Sequence, residues 1–156
     1  ARDSYNLFMP SHAEQRPSPY TAQQLYALVD DVKSYPEFLP WCLGSRIRRI
    51  SPQVVHADLI VGWKAIRESF TTKNTSDPDS FTVSSELVKG PFSRLDSKWV
   101  MVPSDTGCII DFSVDFAFKS RILATVVEPL FLTAQKKLIE AFEARADALY
   151  GAIKAA

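Results

Sequence analysis

A strictly alternating run of apolar residues near the end of the chain constrains the fold more than any other feature. Between Thr106 and Phe118, every even position from Cys108 onward is apolar, and three of these positions are phenylalanine. Side chains alternate between the two faces of a β-strand, so this pattern predicts a strand with one apolar face and one polar face. The polar face carries two aspartates, Asp111 and Asp115. Another layer of structure has to cover the apolar face.

The rest of the chain predicts an α+β fold with a curved antiparallel sheet and a long C-terminal helix, in β-α-β6-α order. Residues 11–16 form a first edge strand, and Thr21 is the N-cap of a helix over 22–32. Turn residues separate the next strand-like runs, which cover 44–50, 54–62, 65–74, 80–88, 95–103 and 106–118. A helical pattern follows, and Pro129 divides it into a short helix over 122–128 and a long one that ends near Tyr150, with Gly151 as the stop.

Length and charge favour one folded domain that does not bind DNA. The 156 residues are enough for a single compact core. We expect residues 1–8 to be a tag or processed remnant, 9–151 to form the domain and 152–156 to be a disordered tail. Because 18 basic and 18 acidic side chains cancel, the chain has no overall field that attracts nucleic acid.

Two cysteines, Cys42 and Cys108, are too far apart for a chelating pair and too few for a disulfide framework, which indicates a reducing compartment. The longest apolar stretch, 122–132, is interrupted by Glu128 and Pro129 and is shorter than the roughly 20 residues that span a bilayer. We therefore expect a cytoplasmic bacterial protein, peripheral at the inner membrane, or a protein on the matrix side of the inner membrane in a mitochondrion.

Alternation also indicates which large side chains face the interior between sheet and helix. These side chains either pack solidly against one another or line a ligand cavity, and the pattern leaves both interpretations open. The inward residues include Phe70, Val83, Trp99, Met101, Phe112, Val114, Phe116, Leu130, Phe131 and Leu138.

The pattern offers little support for metal binding or catalysis. The two histidines, His12 and His56, have no cysteine or carboxylate at a metal-ligand spacing. Neither cysteine has a histidine positioned to activate it as a nucleophile. Glu68 falls on the nominally apolar face of its strand, where it either pairs with a neighbouring strand or hydrogen-bonds a ligand; we favour the structural interpretation.

One segment after the first helix carries a specific resemblance. The run Tyr35-Pro36-Glu37-Phe38-Leu39-Pro40-Trp41-Cys42 is similar to that of the coenzyme Q-binding protein family of START-like domains, a branch of the polyketide cyclase/dehydrase-type domains. The likeness continues through Lys89-Gly90-Pro91-Phe92 and the strand 111–118, and it covers nearly all of residues 9–151.

This resemblance implies a helix-grip fold and a hydrophobic tunnel for ubiquinone or a related polyprenyl quinone. The protein would be a lipid chaperone without a catalytic, metal or redox centre, supporting respiration and quinone synthesis. Residues 35–42 would form the lid or tunnel mouth, which adds Phe38, Leu39 and Trp41 to the ligand-binding set. With Trp63 and the segment 122–131, Trp41 would touch a membrane surface during loading.

Two alternatives remain beside the quinone chaperone. Bacterial relatives in the same family include a ribosome-association toxin, which implies a protein that binds ribosomal subunits and inhibits translation. The architecture also serves cyclase or aromatase enzymes, which need acid, base or oxyanion groups in the cavity. We expect no enzyme activity, because the sequence shows no such set of groups.

Overall fold

The computed structural model describes residues 11–63 and 66–155, so the expected tag over 1–8 and residues 64–65 lie outside the described residues. Eleven elements follow one another in the described part. They are β1 Ser11–Ser18, α1 Ala22–Asp30, a 3-10 helix Val32–Glu37, β2 Cys42–Ser51, β3 Val54–Trp63, β4 Ile66–Asp77, β5 Thr82–Lys89, β6 Phe92–Ser104, β7 Gly107–Phe118, α2 Arg121–Lys136 and α3 Leu138–Ala155.

The strands form one antiparallel sheet in the order β1-β7-β6-β5-β4-β3-β2. Strands β2 to β7 follow one another as a meander, since each pairs with its neighbour in sequence. Strand β1 joins the far edge beside β7, with Ser11 opposite Asp115 and Ser18 opposite Cys108. The predicted curved antiparallel sheet and its order are confirmed.

Strand β7 has one buried face and one half-buried face, as its alternating sequence predicts. Cys108, Ile110, Phe112, Val114 and Phe116 are all buried, and the residues between them are half-buried. The buried face of β7 therefore lies on the inner, concave side of the sheet.

Helix α1 begins with a capping box and ends earlier than predicted. The Thr21 hydroxyl accepts a hydrogen bond from the Gln24 N–H, and the Gln24 side chain accepts one from the Thr21 N–H. These bonds satisfy backbone donors that the first turn of a helix leaves free. The helix ends at Asp30, and the chain tightens into the 3-10 helix that carries Tyr35 and Pro36.

The break in the C-terminal helical region lies at Lys137, so the prediction of a break at Pro129 is wrong. A proline inside a helix removes one backbone hydrogen bond, and α2 accepts that loss and continues to Lys136. The Lys137 N–H instead bonds the Ala134 carbonyl three residues earlier, at 3.2 Å. This tighter turn separates α2 from α3.

Gly151 does not end the last helix, which continues to Ala155 through most of the expected disordered tail. A glycine that terminates a helix adopts a positive φ. Gly90 and Gly107 have positive φ in the described chain, whereas Gly151 does not. The glycine therefore lies inside the helix.

Helix α3 lies in the concave side of the sheet, which completes an α+β helix-grip fold. Ile139, Phe142 and Ala146 are buried at helical spacing. At the sheet edge, Arg16 pairs with Glu143, and the Tyr20 hydroxyl donates to Asp147. Among the described residues, none of the helices has the length and apolar character that crossing a bilayer requires.

Candidate ligand-binding cavity

A cavity of about 200 Å³ lies between the concave face of the sheet and the helices. The strands β3 to β7 supply its floor. The 3-10 helix and the segment after it, with the α2–α3 junction, supply the opposite wall. The curved sheet and its closing helix therefore leave space between them.

Eight of the residues predicted to bind a ligand line this cavity, although their role in binding stays a prediction. The set includes two residues of the segment after the 3-10 helix, five from the sheet and one from the start of α3. They are Leu39, Trp41, Phe70, Val83, Trp99, Phe112, Val114 and Leu138.

Three other predicted residues do not line the cavity in the structure. Met101 and Phe116 are fully buried, on the same face as the lining residues of β6 and β7. Phe38 packs its ring against Phe142, with 5.0 Å between centroids, and lies under the Arg145 guanidinium. Alternation identifies the face of a strand but does not show which part of that face borders empty space. The side chains of the last two predicted residues, Leu130 and Phe131, lie outside the described part.

Aromatic rings form the wall where α3 crosses the sheet. The Trp99 ring lies 4.4 Å from that of Phe112 and 4.9 Å from that of Phe142, centroid to centroid. Phe70 closes another side of the cavity and lies directly against Gly90. A Cβ atom added at Gly90 would lie 2.5 Å from the Phe70 Cβ. Gly90 also has a φ of +154°, which favours glycine. The glycine in the Lys89-Gly90-Pro91 turn therefore lets the backbone approach the cavity wall.

The segment that was predicted to be the mouth lies along the cavity and is tied to the neighbouring backbone. The Leu39 N–H bonds the Tyr35 carbonyl at 2.9 Å, and the Gly62 N–H bonds the Trp41 carbonyl at 2.9 Å. Leu39 is buried, whereas Trp41 and Leu138 are half-buried. Other lining residues, including Leu59, Val61, Ser85 and Ser97, are half-buried too, so the position of the mouth stays a prediction.

Four polar side chains of the lining were missed in the sequence: Thr72, Asn74, Ser85 and Ser97. Each lies on the inner face, an even number of positions along its strand from a predicted apolar residue, such as Phe70 on β4 or Trp99 on β6. Extending the alternation past the apolar residues would have found them. A pattern of large apolar side chains does not include them, because all four are polar.

The cavity lining is electrically neutral over the described residues, since none of its side chains is an aspartate, glutamate, lysine, arginine or histidine. Burial raises the pKa of the Tyr35 phenol, whose hydroxyl donates a hydrogen bond to the Val29 carbonyl. Burial also raises the pKa of the Cys42 thiol. Both groups are therefore neutral at pH 7. Glu68 is half-buried and does not border the cavity.

The described residues contain no group of three or more histidine, cysteine, aspartate or glutamate side chains arranged to hold a metal ion. His12 lies beside Glu14, with 3.1 Å between its Nε2 and the carboxylate. The chemistry that the cavity offers is therefore apolar contact with a few hydrogen bonds.

Comparison with known proteins identifies a family and two kinds of relative. Residues 18–143 match the family described as polyketide cyclase / dehydrase and lipid transport. The ribosome association toxin RatA of Escherichia coli is 35% identical over 147 residues, covering 94% of this chain and 92% of that protein. The mitochondrial coenzyme Q-binding protein COQ10 homolog B of Xenopus laevis is 29% identical over 145 residues, covering 90% of this chain and 59% of that protein.

A solved structure shows the same similarity over almost the whole chain. The 18 kDa protein CC1736 of Caulobacter crescentus is 38% identical, with a TM-score of 0.73, and the match covers 90% of this chain and 98% of that one. The sequence resemblance is thus confirmed at the level of the family.

Proposed function

The chain belongs to the polyketide cyclase / dehydrase and lipid transport family, and on that premise we propose that it binds and chaperones a polyprenyl quinone such as ubiquinone. The observation that carries the proposal is the neutral, mostly apolar cavity between sheet and helix. The relative named as a coenzyme Q-binding protein supports the choice of ligand.

The physical chemistry of the cavity suits a prenyl lipid. Its methyl-bearing chain matches walls of phenylalanine, leucine and valine, and its head can use the few hydroxyl and amide groups. The lipid comes from a bilayer that is already apolar, so the roughly 0.8 kcal/mol per methylene that burial from water contributes does not apply in full. The protein gains modest affinity and shields the lipid during transfer.

The size of the cavity limits how much of the lipid lies inside. Its 200 Å³ is below the ~300–1,000 Å³ of most ligand pockets. We expect the headgroup and the first part of the prenyl chain to lie in the cavity. The rest of the chain leaves on the side of Trp41 and Leu138.

Loading from a membrane would use the exposed apolar residues of α2. Ile122 is 80% exposed and Val126 is 52% exposed, one turn apart on this helix. Such side chains partition into the interface of a bilayer. The double variant Ile122→Ser/Val126→Ser should therefore take up quinone from vesicles more slowly and bind the same amount at equilibrium.

Mass spectrometry of an organic extract of the purified protein tests the proposal. We expect a stoichiometric polyprenyl quinone in the wild type and none in Leu39→Asp, because Leu39 is buried in the cavity wall. Leu43→Asp is the matched control, since Leu43 is 45% exposed and does not line the cavity. A folded Leu39→Asp protein that retains the quinone contradicts the proposal. Val114→Phe fills the cavity without adding charge, so its quinone content tests the proposal independently of the charge introduced by Leu39→Asp.

We propose binding without chemical turnover. A cyclase needs acid, base or oxyanion groups placed around its substrate, and the titratable groups of the described lining, Tyr35 and Cys42, are neutral. The extracted lipid should therefore have the same mass before and after prolonged incubation with the protein.

Ribosome association is a second candidate function, because the relatives named for it are 35% identical over 94% of the chain. The edge strand β2 exposes Arg46, Arg48 and Arg49, although Arg48 also pairs with Asp58 at 3.4 Å. Co-sedimentation with ribosomal subunits at increasing salt tests this function. If these arginines contact RNA, Arg46→Glu/Arg49→Glu should abolish the association, and the quinone content should not change.

A further inference from the structure

Three of the polar side chains in the cavity form a continuous row across its floor. Asn74 on β4 lies directly opposite Ser85 on β5, and Ser85 lies directly opposite Ser97 on β6. All three line the cavity. Apolar residues, such as Val83 on β5 and Trp99 on β6, lie beside this row on the same inner face. The row is thus a polar strip in an otherwise apolar surface.

Asn74 has an unused hydrogen-bond donor inside the protein. Its side chain belongs to a residue that is 5% exposed, and the buried Thr72 hydroxyl donates to its Oδ1 at 2.8 Å. This bond occupies the acceptor and orients the amide, so that Nδ2 is the group left for the cavity. Within the described residues, no hydrogen bond uses Nδ2.

Asn74 is 5% exposed and lines the cavity, and its Nδ2 is not sealed inside the protein. A donor that faces an enclosed, mostly apolar cavity needs a ligand or a water as its partner. One inward-facing serine alone would not indicate a ligand. Three in-register polar residues on neighbouring strands, together with a threonine that orients the asparagine, form a built hydrogen-bonding surface.

We infer that the Asn74–Ser85–Ser97 row binds the head of the ligand through a carbonyl oxygen that accepts a hydrogen bond from Asn74 Nδ2. This inference rests on the proposed function and specifies how the ligand lies. The two serine hydroxyls donate to the neighbouring oxygens of the head, and the prenyl chain runs past Phe70 and Trp99 towards Trp41. The row therefore selects a lipid with a carbonyl-bearing head over a plain hydrocarbon.

A paired titration tests the inference. Delipidated protein is titrated with a short-chain ubiquinone and with a prenyl arene of the same size that has no carbonyl groups, and binding is followed by calorimetry. We expect the wild type to bind the quinone about tenfold more tightly, which corresponds to one well-formed hydrogen bond in a buried site.

The double variant Thr72→Val/Asn74→Leu removes the donor together with the hydroxyl that would otherwise lose its acceptor. We expect it to lose the tenfold preference while its affinity for the arene is unchanged. Ser84→Ala is the control, because Ser84 is adjacent to Ser85 on β5 but points to the outer face. Ser97→Ala changes the side-chain volume little and should weaken quinone binding about threefold. This variant tests the inference if the double variant does not fold.

Infrared spectroscopy of the bound quinone separates direct contact from a structural effect. The carbonyl stretching band should lie at lower frequency in the wild type than in Thr72→Val/Asn74→Leu. If both proteins show the same band and the same ratio of quinone to arene affinity, the inference is overturned and the lipid-binding function still stands. If the wild type binds neither compound, the proposed function itself fails.

Discussion

Single residues on the inner face of the sheet divide into those that border the cavity and those that pack. Trp99 borders the cavity and contacts Phe112 and Phe142, whereas Met101, two residues further along β6, is completely buried outside the lining. The two residues have the same direction and similar hydrophobicity. Their different surroundings predict different effects of substitution.

Replacing Met101 by alanine should reduce stability and leave ligand binding unchanged. Removing a fully buried methionine side chain leaves a void that costs about 2–5 kcal/mol in free energy of unfolding. Denaturant unfolding measures that loss, and extraction with mass spectrometry measures the quinone per folded protein. Val102→Ala is the control, because Val102 is 47% exposed and should change the stability little. A quinone content that falls with Met101→Ala would return this residue to the binding set.

Replacing Tyr35 by phenylalanine should change how stability depends on alkaline pH. The Tyr35 pKa is raised above the value of about 10 in the unfolded chain, chiefly by burial and then by the charge of Asp30. A folded pKa above the unfolded one gives stability that is complete below pH ~10 and is lost as the pH rises further.

The free energy of unfolding should therefore fall more steeply above pH ~10 in the wild type than in Tyr35→Phe. At neutral pH the variant should be less stable by about 1 kcal/mol, since the Val29 carbonyl loses its hydrogen bond. Some slope remains in the variant, because Tyr26 and Tyr150 also have raised pKa values. Parallel pH profiles for the two proteins would contradict the assignment.

At the scale of elements, the two C-terminal helices differ in how firmly the core holds them. Helix α3 buries Ile139, Phe142 and Ala146. The described side chains of α2 are all half-buried or exposed, and Pro129 removes one of its backbone hydrogen bonds. The tight turn at Lys137 separates the two, next to the lining residues Ala134 and Leu138. Among the described side chains, α2 therefore contributes less to the core than α3 does.

Hydrogen exchange followed by mass spectrometry should show this difference directly. We expect the α2 amides to exchange faster than those of α3, because local opening needs less buried surface to be exposed. Added quinone should slow exchange near Ala134, which borders the cavity. Helix α1, with buried Leu25, Leu28 and Val29, is the internal reference for a well-packed helix. Equal protection of α2 and α3 would be the contrary result.

For the whole molecule, the cavity lies in the interior, so a ligand there should stabilise the entire fold. A ligand that binds the native state adds about 2.7 kcal/mol at 100 times its Kd. For a chain of this length, that gain corresponds to a rise in Tm of about 5–10 °C. Thermal unfolding of delipidated protein with short-chain ubiquinone measures the shift. Leu39→Asp should show none, and an equal shift in that variant would indicate binding elsewhere.

The sequence alone was sufficient for the family, the α+β class and the order of the strands. These features depend on local patterns: the period-two alternation of β7, the capping box at Thr21 and the turn residues between strands each act over a few residues. The break at Lys137 was not predictable in the same way, because the local pattern does not show whether a helix continues through the hydrogen bond lost at Pro129.

The cavity, in contrast, depends on contacts between residues far apart in the chain. Asn74, Ser85 and Ser97 form a row because β4, β5 and β6 pair in one register. Trp99 borders the cavity, whereas Met101, on the same face of the same strand, does not. A local pattern determines which face of a strand is inner. The volume left between two layers depends on how all of their side chains pack together, and only the tertiary structure decides it.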